Sequence, residues 1–228
     1  MATADRLAPM DPTEGFDDMA LAALSERSTV IRFRKGEMIF SPYDPADAAY
    51  LVETGRVRVY RGASDGRQLT LAIADEGMLI GRAAMLDQTT HDAYAMAMAD
   101  CTLRVLRVAD LERVAVEHPV VGVELTRELA RRLHEAEDML ESLAFRGVPA
   151  RLASLLLQLM DRYGRVTPDG IRIDERFTHL QLAEMIGTSR ETLTKVINEL
   201  RDAGLIDVRE RMVWVLDADG LDAVKRSS

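Results

Sequence analysis

The sequence predicts an α+β protein in which a β-rich domain and a smaller helical domain are joined by one long helix. Three observations predict this arrangement. Residues 29–108 contain short β-prone runs separated by turn residues, residues 119–145 follow a helical repeat, and residues 150–216 combine short amphipathic helices with paired β-prone runs. A chain of 228 residues has room for one large or two small domains.

The composition excludes several classes of protein. Hydrophobic residues make up 47% and charged residues 29%, as in ordinary globular proteins. Without an 18-residue apolar run, no membrane span is predicted. The polar, acidic residues 1–17 lack a signal-peptide core, so we expect a flexible tail and a cytoplasmic protein. The single Cys101 excludes an internal disulfide and a cysteine-ligated cluster.

Enzymatic motifs are missing from the sequence as well. It contains no glycine-rich phosphate loop, no His-Glu-x-x-His motif and no nucleophile elbow. We therefore predict no catalytic residues, no metal site and no bound cofactor, and we expect that the protein is not an enzyme.

Residues 18–118 form the predicted β-rich domain. A short helix is expected over residues 18–27, followed by many short strands of near-regular spacing, which is typical of a β-sandwich or barrel. Residues 56–60 alternate charged and apolar side chains and predict one wet and one buried face. The β-prone runs are residues 30–33, 50–52, 56–60, 69–73 and 103–106.

Residues 119–146 are predicted to form one long helix, because Pro119 suits a first helical turn. Apolar residues recur along it at intervals of four and three, which is the spacing of a coiled-coil seam. The flanking face is densely charged, which favours a homodimer seam. The alternative is a helix packed on its own domain. The seam residues are Leu129, Leu133, Ala136, Leu140 and Leu143.

Residues 147–228 form the second predicted domain, because Gly147 and Pro149 interrupt the helix. A leucine-rich helix over residues 150–163 and a hairpin turning at residues 168–170 come first. Two shorter helices and a β-prone run at residues 212–216 follow.

Residues 178–200 contain two helix starts in close succession. Thr178 with Gln181 predicts a capping box, and Thr188 with Glu191 predicts a second. Gly187 lies between the two helices as a tight turn. Helix, glycine turn and helix at this spacing predict a helix-turn-helix. Its packing residues are Leu182, Ile186, Leu193, Val196, Ile197 and Leu200.

The second of these helices carries the side chains that favour DNA as a partner. A recognition helix presents its first turns to base edges, where Arg can bind guanine and Glu can accept from cytosine. We therefore predict base contacts from Arg190, Glu191 and Lys195. The alternative is that these are surface residues and that Glu191 only completes a cap. Predicted backbone contacts near the helix starts are Thr178, Thr188, Ser189, Thr192 and Thr194.

The chain after Gly204 predicts a two-stranded wing. Arg209 and Arg211 are placed where a wing would meet the DNA backbone. The alternative for both residues is a solvated turn.

The order of these elements, together with the motif at residues 187–196, resembles the CRP/FNR family of bacterial transcription regulators over about residues 18–220. The resemblance implies a cyclic-nucleotide-binding-like β-roll, a dimerisation helix and a winged helix-turn-helix. It implies DNA-reading roles for Arg190 and Glu191, with Lys195 where the family usually has Arg. His179 stands at a phosphate-contacting position.

The segment at residues 77–93 resembles the family's phosphate-binding cassette but lacks its ligands. Arg82 replaces the ribose-binding Glu, His91 the phosphate-binding Arg, and Asp92 the phosphate-binding Ser. A mostly neutral His and an added carboxylate disfavour a cyclic phosphate. We predict that cyclic AMP is not bound in the usual way and that Arg82 pairs with Asp92. The alternative is that both are exposed loop residues.

The resemblance implies a homodimeric DNA-binding regulator, an activator that binds a pseudo-palindromic TGTGA-like site in double-stranded DNA. The turn at residues 167–170 resembles the family's RNA polymerase-contacting loop in position, and the alternative is a plain hairpin turn. The alternative is an effector-dependent regulator that binds an unidentified small ligand in its β-roll.

The net charge of −9 belongs mainly to residues 1–149, where 17 basic and 25 acidic residues give −8. Residues 150–228 are nearly neutral, so we expect weak non-specific DNA affinity.

Overall fold

The computed structural model describes residues 18–81 and 89–227 and confirms the predicted α+β class. The chain divides into two compact units, and the border between them falls between Ala136 and Glu137, inside the long helix. We call the first the β unit and the second the winged unit, and each is described by itself.

The β unit contains two helices and eight strands among its described elements before the long helix. They are α1 (Asp18–Glu26), β1 (Thr29–Phe33), β2 (Met38–Phe40), β3 (Ala48–Thr54), β4 (Val57–Gly62), β5 (Gln68–Ala74), β6 (Leu79–Ile80), β7 (Tyr94–Ala97), β8 (Cys101–Arg107) and α2 (Val108–Glu117). The strands form two four-stranded sheets of order β1-β8-β3-β6 and β2-β7-β4-β5, all paired antiparallel. The strands β2, β6 and β7 have only two to four residues and carry little sequence signal.

One residue of β4 corrects the expected alternation of wet and buried faces. Arg58 was expected on the wet face, but it is buried. Its Nε donates to Thr70 Oγ1 at 2.9 Å, its Nη1 donates to Gln68 Oε1 at 3.0 Å, and its guanidinium lies 4.3 Å from the Tyr60 ring centroid. These bonds replace water around the charge, which is why a strand position that looks solvated is buried.

The long helix α3 (Pro119–Phe145) begins at the predicted proline. Val121 packs in the core of the β unit with Leu24, Leu106 and Leu111. Arg132 bonds to Glu128 one turn earlier at 2.6 Å, and its Nη2 donates to the carbonyl of Leu79 at 2.9 Å. These contacts fix the first part of α3 on the β unit.

The winged unit packs its helices on one four-stranded sheet. Its elements after the long helix are α4 (Val148–Tyr163), β9 (Gly164–Thr167), β10 (Gly170–Ile173), α5 (His179–Ile186), α6 (Arg190–Asp202), β11 (Ile206–Arg209), β12 (Met212–Val215) and α7 (Ala218–Arg226). The strand order of the sheet is β11-β12-β10-β9. The helix α7 was not predicted, although Asp217 caps it by accepting from Gly220 N at 2.9 Å.

Two features are absent from the described part of the chain. None of the helices in residues 18–81 and 89–227 is long and apolar enough to cross a membrane. Within the same residues, no three His, Cys, Asp or Glu side chains are grouped so that they could hold a metal ion.

Candidate nucleic-acid interface

The first helix of the predicted helix-turn-helix starts at a capping box. Thr178 Oγ1 accepts from Gln181 N at 3.1 Å, and Gln181 Oε1 accepts from Thr178 N at 2.8 Å. Both bonds satisfy backbone N–H groups that have no partner inside the helix. The prediction for α5 is confirmed.

The turn between the two helices confirms one prediction and corrects another. Gly187 ends α5 in the left-handed conformation at φ 64°, which glycine adopts without steric cost. The second cap, however, is not Thr188. Ser189 has an extended backbone and accepts from Thr192 N at 3.1 Å, so α6 begins one residue later than expected. Thr188 instead closes the end of α5, because its N–H bonds to the carbonyl of Ala183 at 3.0 Å.

The packing of α6 determines which of its side chains face outward. Its apolar face is buried against α4 and α5. Arg190, Glu191 and Lys195 are exposed on the other side, on the first two turns. The buried residues are Leu193, Val196, Ile197 and Leu200. The helix therefore presents its polar first turns to solvent.

The charges on this face are available for contacts. Among the described residues, no carboxylate lies within 4.0 Å of a guanidinium nitrogen of Arg190. The pKa of Glu191 is lowered by its own backbone N–H, by the Ser189 side chain and by the nearby Arg190 charge, which keeps the carboxylate ionised. Lys195 Nζ lies 3.8 Å from Glu199 Oε1, a long ion pair on an exposed helix face.

His179 and Thr194 contact each other across the two helices. His179 Nδ1 lies 2.9 Å from Thr194 Oγ1, and Thr194 Oγ1 donates to the carbonyl of Arg190 at 2.8 Å. Because the hydroxyl has one hydrogen and the carbonyl can only accept, Nδ1 is the donor to Thr194. The predicted contacts of His179 and Thr194 with the DNA backbone stay predictions. The bond between their side chains, which joins α5 to α6, was not predicted from the sequence.

The wing is a hairpin with a two-residue turn. Arg209 pairs with Met212, and Glu210 and Arg211 between them both have positive φ, 52° and 65°. This is the backbone pattern of a type I′ turn, which favours Asn and Gly over the residues present. Arg211 is exposed at the tip and has no carboxylate within 4.0 Å among the described residues.

Comparisons with known proteins match both units. A family model described as the Crp-like helix-turn-helix domain matches residues 150–224, and one described as the cyclic nucleotide-binding domain matches residues 30–118. The cyclic AMP receptor protein of Thermus thermophilus is 32% identical over 207 residues, 91% of each chain. The global nitrogen regulator of Synechococcus elongatus is 31% identical over 188 residues, 82% of this chain and 85% of that one.

The chain belongs to the CRP/FNR family of transcription regulators. The solved structure of a CRP-family regulator from Thermus thermophilus has a TM-score of 0.74 at 29% identity, covering 87% of this chain and 97% of that one. The global regulator CLP of Xanthomonas campestris, at 23% identity and a TM-score of 0.80, shows the same fold and covers 87% of this chain and 99% of that one. Like other members, this CRP/FNR protein is a DNA-binding transcription regulator with a helix-turn-helix.

In this CRP/FNR protein, His91, which the sequence resemblance placed at the phosphate-binding Arg position of the cassette, is a buried histidine. His91 is 4% exposed and stacks on Phe40 with ring centroids 3.9 Å apart. Burial lowers the pKa of His91 more than Asp44, Asp92 and Asp47 raise it. The imidazole is therefore neutral at pH 7 and does not supply a permanent positive charge to this part of the β unit.

Of the other two predicted cassette residues, the structure describes Asp92 but not Arg82. Asp92 is bonded to the guanidinium of Arg61 through its carboxylate, and its carbonyl accepts from Arg61 Nε at 3.1 Å. Arg82 lies outside the described residues, and so does its predicted pairing with Asp92.

The predicted seam forms an exposed apolar stripe along α3. Leu133 is 61% and Leu140 is 67% exposed, and Leu129, Ala136 and Leu143 are exposed as well. Phe145, which the spacing argument missed, is exposed at the end of the same helix. A surface helix in one chain normally turns its apolar stripe toward a partner.

Proposed function

We propose that the protein is a homodimeric, sequence-specific transcription regulator that binds a pseudo-palindromic site. The observation that carries this is the first turn of α6, where Arg190 and Glu191 are exposed on a helix whose opposite face is packed. Arg is suited to guanine and Glu to cytosine, so the pair can recognise one G·C base pair. A TGTGA-like half-site is the expected target.

The dimer and its partners complete the proposal. Dimers with a helix-turn-helix read half-sites about 34 Å apart, one turn of DNA, and we expect the α3 seam to be the dimer contact. We expect an activator that contacts RNA polymerase through the turn at residues 167–170, and a protein of the cytoplasm without enzymatic activity. The relatives are themselves named as regulators, which supports this expectation.

Selection from a random DNA pool tests the DNA-binding part. We expect the protein to enrich a pseudo-palindrome, and fluorescence anisotropy should then show that log K falls linearly with log salt, by about 0.9 for each phosphate contacted. Enrichment of no sequence, or binding without salt dependence, would refute the proposal. A winged unit that contacts only proteins would give that result.

We further propose that regulation does not require cyclic AMP. Isothermal titration calorimetry should give no micromolar binding for the wild type, because His91 is neutral and the guanidinium of Arg61 is already held by the carboxylate of Asp92. The triple variant R82E/H91R/D92S restores the three family ligands and should gain affinity by at least about tenfold, the equivalent of one charge-assisted hydrogen bond. Micromolar affinity of the wild type for cyclic AMP would refute this part and leave DNA binding intact.

The second candidate is a regulator controlled by another small ligand in the β unit. One observation favours it: His91 Nε2 is buried and has no hydrogen-bond partner among the described residues. Such a group is a candidate for bonding a ligand. The relative in Mycobacterium tuberculosis, at 29% identity, is named a cAMP-activated regulator, so a cyclic nucleotide held in a non-standard way belongs to this candidate.

A further inference from the structure

Arg209, the last residue of β11, is bound by two carboxylates of its own unit. Its Nε donates to Asp207 Oδ2 at 2.6 Å and its Nη1 donates to Asp169 Oδ2 at 3.0 Å. Asp169 lies in the two-residue turn between β9 and β10, 40 residues earlier in the chain. One guanidinium therefore joins the wing to the β9–β10 turn.

The two carboxylates hold Arg209 differently. Asp207 is two residues away on the same strand and shares a cross-strand row with Trp214 and Arg172. The guanidinium of Arg209 lies 5.4 Å from the Trp214 ring centroid, on a buried ring that keeps it over the sheet. Asp169, in contrast, lies in a turn and not in a paired strand. Asp169 is thus the partner that can leave while Asp207 and Trp214 keep the side chain in place.

The bond to Asp169 is also weak enough to exchange. Arg209 is 46% and Asp169 is 66% exposed. Ion pairs between side chains as exposed as these change an equilibrium constant by at most about fivefold, and salt screens them. An oxygen of a DNA phosphodiester, which carries one negative charge as a carboxylate does, can accept from the same Nη1–H of Arg209.

We propose that Arg209 exchanges Asp169 for a DNA phosphate when the wing binds DNA. The exchange releases the Asp169 carboxylate at the β9–β10 turn, where it becomes available to a cationic side chain of a protein partner. By reciprocal linkage, a partner that binds Asp169 strengthens DNA binding by the same factor. This inference rests on the proposed function, because it requires that the wing binds DNA.

A double-mutant cycle tests the exchange. Wild type, D169N, R209Q and the double variant are compared by fluorescence anisotropy on a duplex that the wild type has selected from a random pool, at about 0.15 M salt. Asn is accepted in turns, so D169N keeps the fold. D169N should raise DNA affinity about two- to fivefold, and the gain should disappear in the R209Q background.

A gain that persists in R209Q would mean that Asp169 simply repels DNA, and it would overturn the inference. An unchanged affinity of D169N would overturn it too. Far-UV circular dichroism checks that each variant keeps the sheet intact, because the fluorescence of Trp214, the single tryptophan of the chain, responds to the loss of Arg209 itself. If the wild type selects no duplex, the proposed function fails as well; if it binds a duplex and the cycle is additive, only this inference fails.

Chemical labelling measures the release directly. Carbodiimide coupling of glycine ethyl ester to Asp169, followed by mass spectrometry, should become faster when the selected duplex is added. Asp219, an exposed carboxylate for which no ion pair is found among the described residues, is the control and should label at a constant rate. A rate at Asp169 that stays constant or falls on DNA binding would count against the exchange.

Discussion

Introducing Glu at both Leu133 and Leu140 is expected to convert the protein into a monomer and to weaken binding to its palindromic site by about 10³-fold. The two leucines lie in the exposed stripe of α3. Burying a Leu side chain contributes about 1.5–3 kcal/mol, and a carboxylate at the centre of a helix pair has no partner to offset its desolvation. A monomer also binds only one half-site at a time. Linking two DNA-binding units in one dimer raises the affinity for the full site by about 10²–10⁴.

Light scattering after size exclusion reports the mass, and fluorescence anisotropy on full and half sites reports the affinity. The control variant places Glu at His134 and Ser142, two positions of the same helix that lie off the seam. It adds the same number of carboxylates and should remain a dimer with unchanged affinity. If the seam variant stays dimeric, or if the control also dissociates, the α3 stripe is not the dimer interface.

The sequence predicted those parts of the fold that depend on neighbours in the chain. The Thr178 capping box, the Gly187 turn and the apolar face of α6 each follow from residues three or four positions apart. The predicted start of α6 was wrong by one residue. Thr188 and Ser189 are both favoured as N-caps by residue type, and the backbone after the left-handed Gly187 places Ser189 at the cap.

Long-range pairing is what the sequence could not show. The strands β2, β6 and β7 are too short to have a pattern. Their hydrogen bonds come from pairing, because β6 pairs with the longer β3, β7 pairs with the longer β4, and β2 pairs with β7. Arg58 is buried because Thr70 and Gln68 on the next strand bond to it.

The candidate site shows the same division. Arg190 and Glu191 are exposed on α6 as their spacing predicts, whereas Arg209 was expected to face DNA and is held by Asp169 from 40 residues away. The pKa of Arg209 is raised by Asp207 first and Asp169 second, and the pKa of Asp207 is lowered chiefly by its bond from Arg209. Arg209 of the wing is thus already bonded to carboxylates of its own unit, which its position in the sequence did not indicate.

Arg190→Ala is expected to weaken binding by about 1–3 kcal/mol, or about 5- to 150-fold, and to remove the preference at one base pair of each half-site. Arg190 is the first residue of α6, exposed, with no carboxylate within 4.0 Å among the described residues, so its loss leaves the fold unchanged. Arg211→Ala at the wing tip should weaken all sequences alike and reduce the salt slope by about one. The two effects differ because a base edge carries sequence information and a phosphate does not.

Anisotropy on a complete set of single-base-pair substitutions of the selected site separates these roles. Arg201→Ala is the matched control: it removes the same charge from α6, but eleven residues further on, about 16 Å along the helix axis. It should leave both the affinity and the sequence profile close to those of the wild type. If Arg190→Ala and Arg211→Ala change the profile in the same way, α6 does not enter the major groove by its first turn. The assignment of Arg190 to a base and of Arg211 to the backbone would then be wrong.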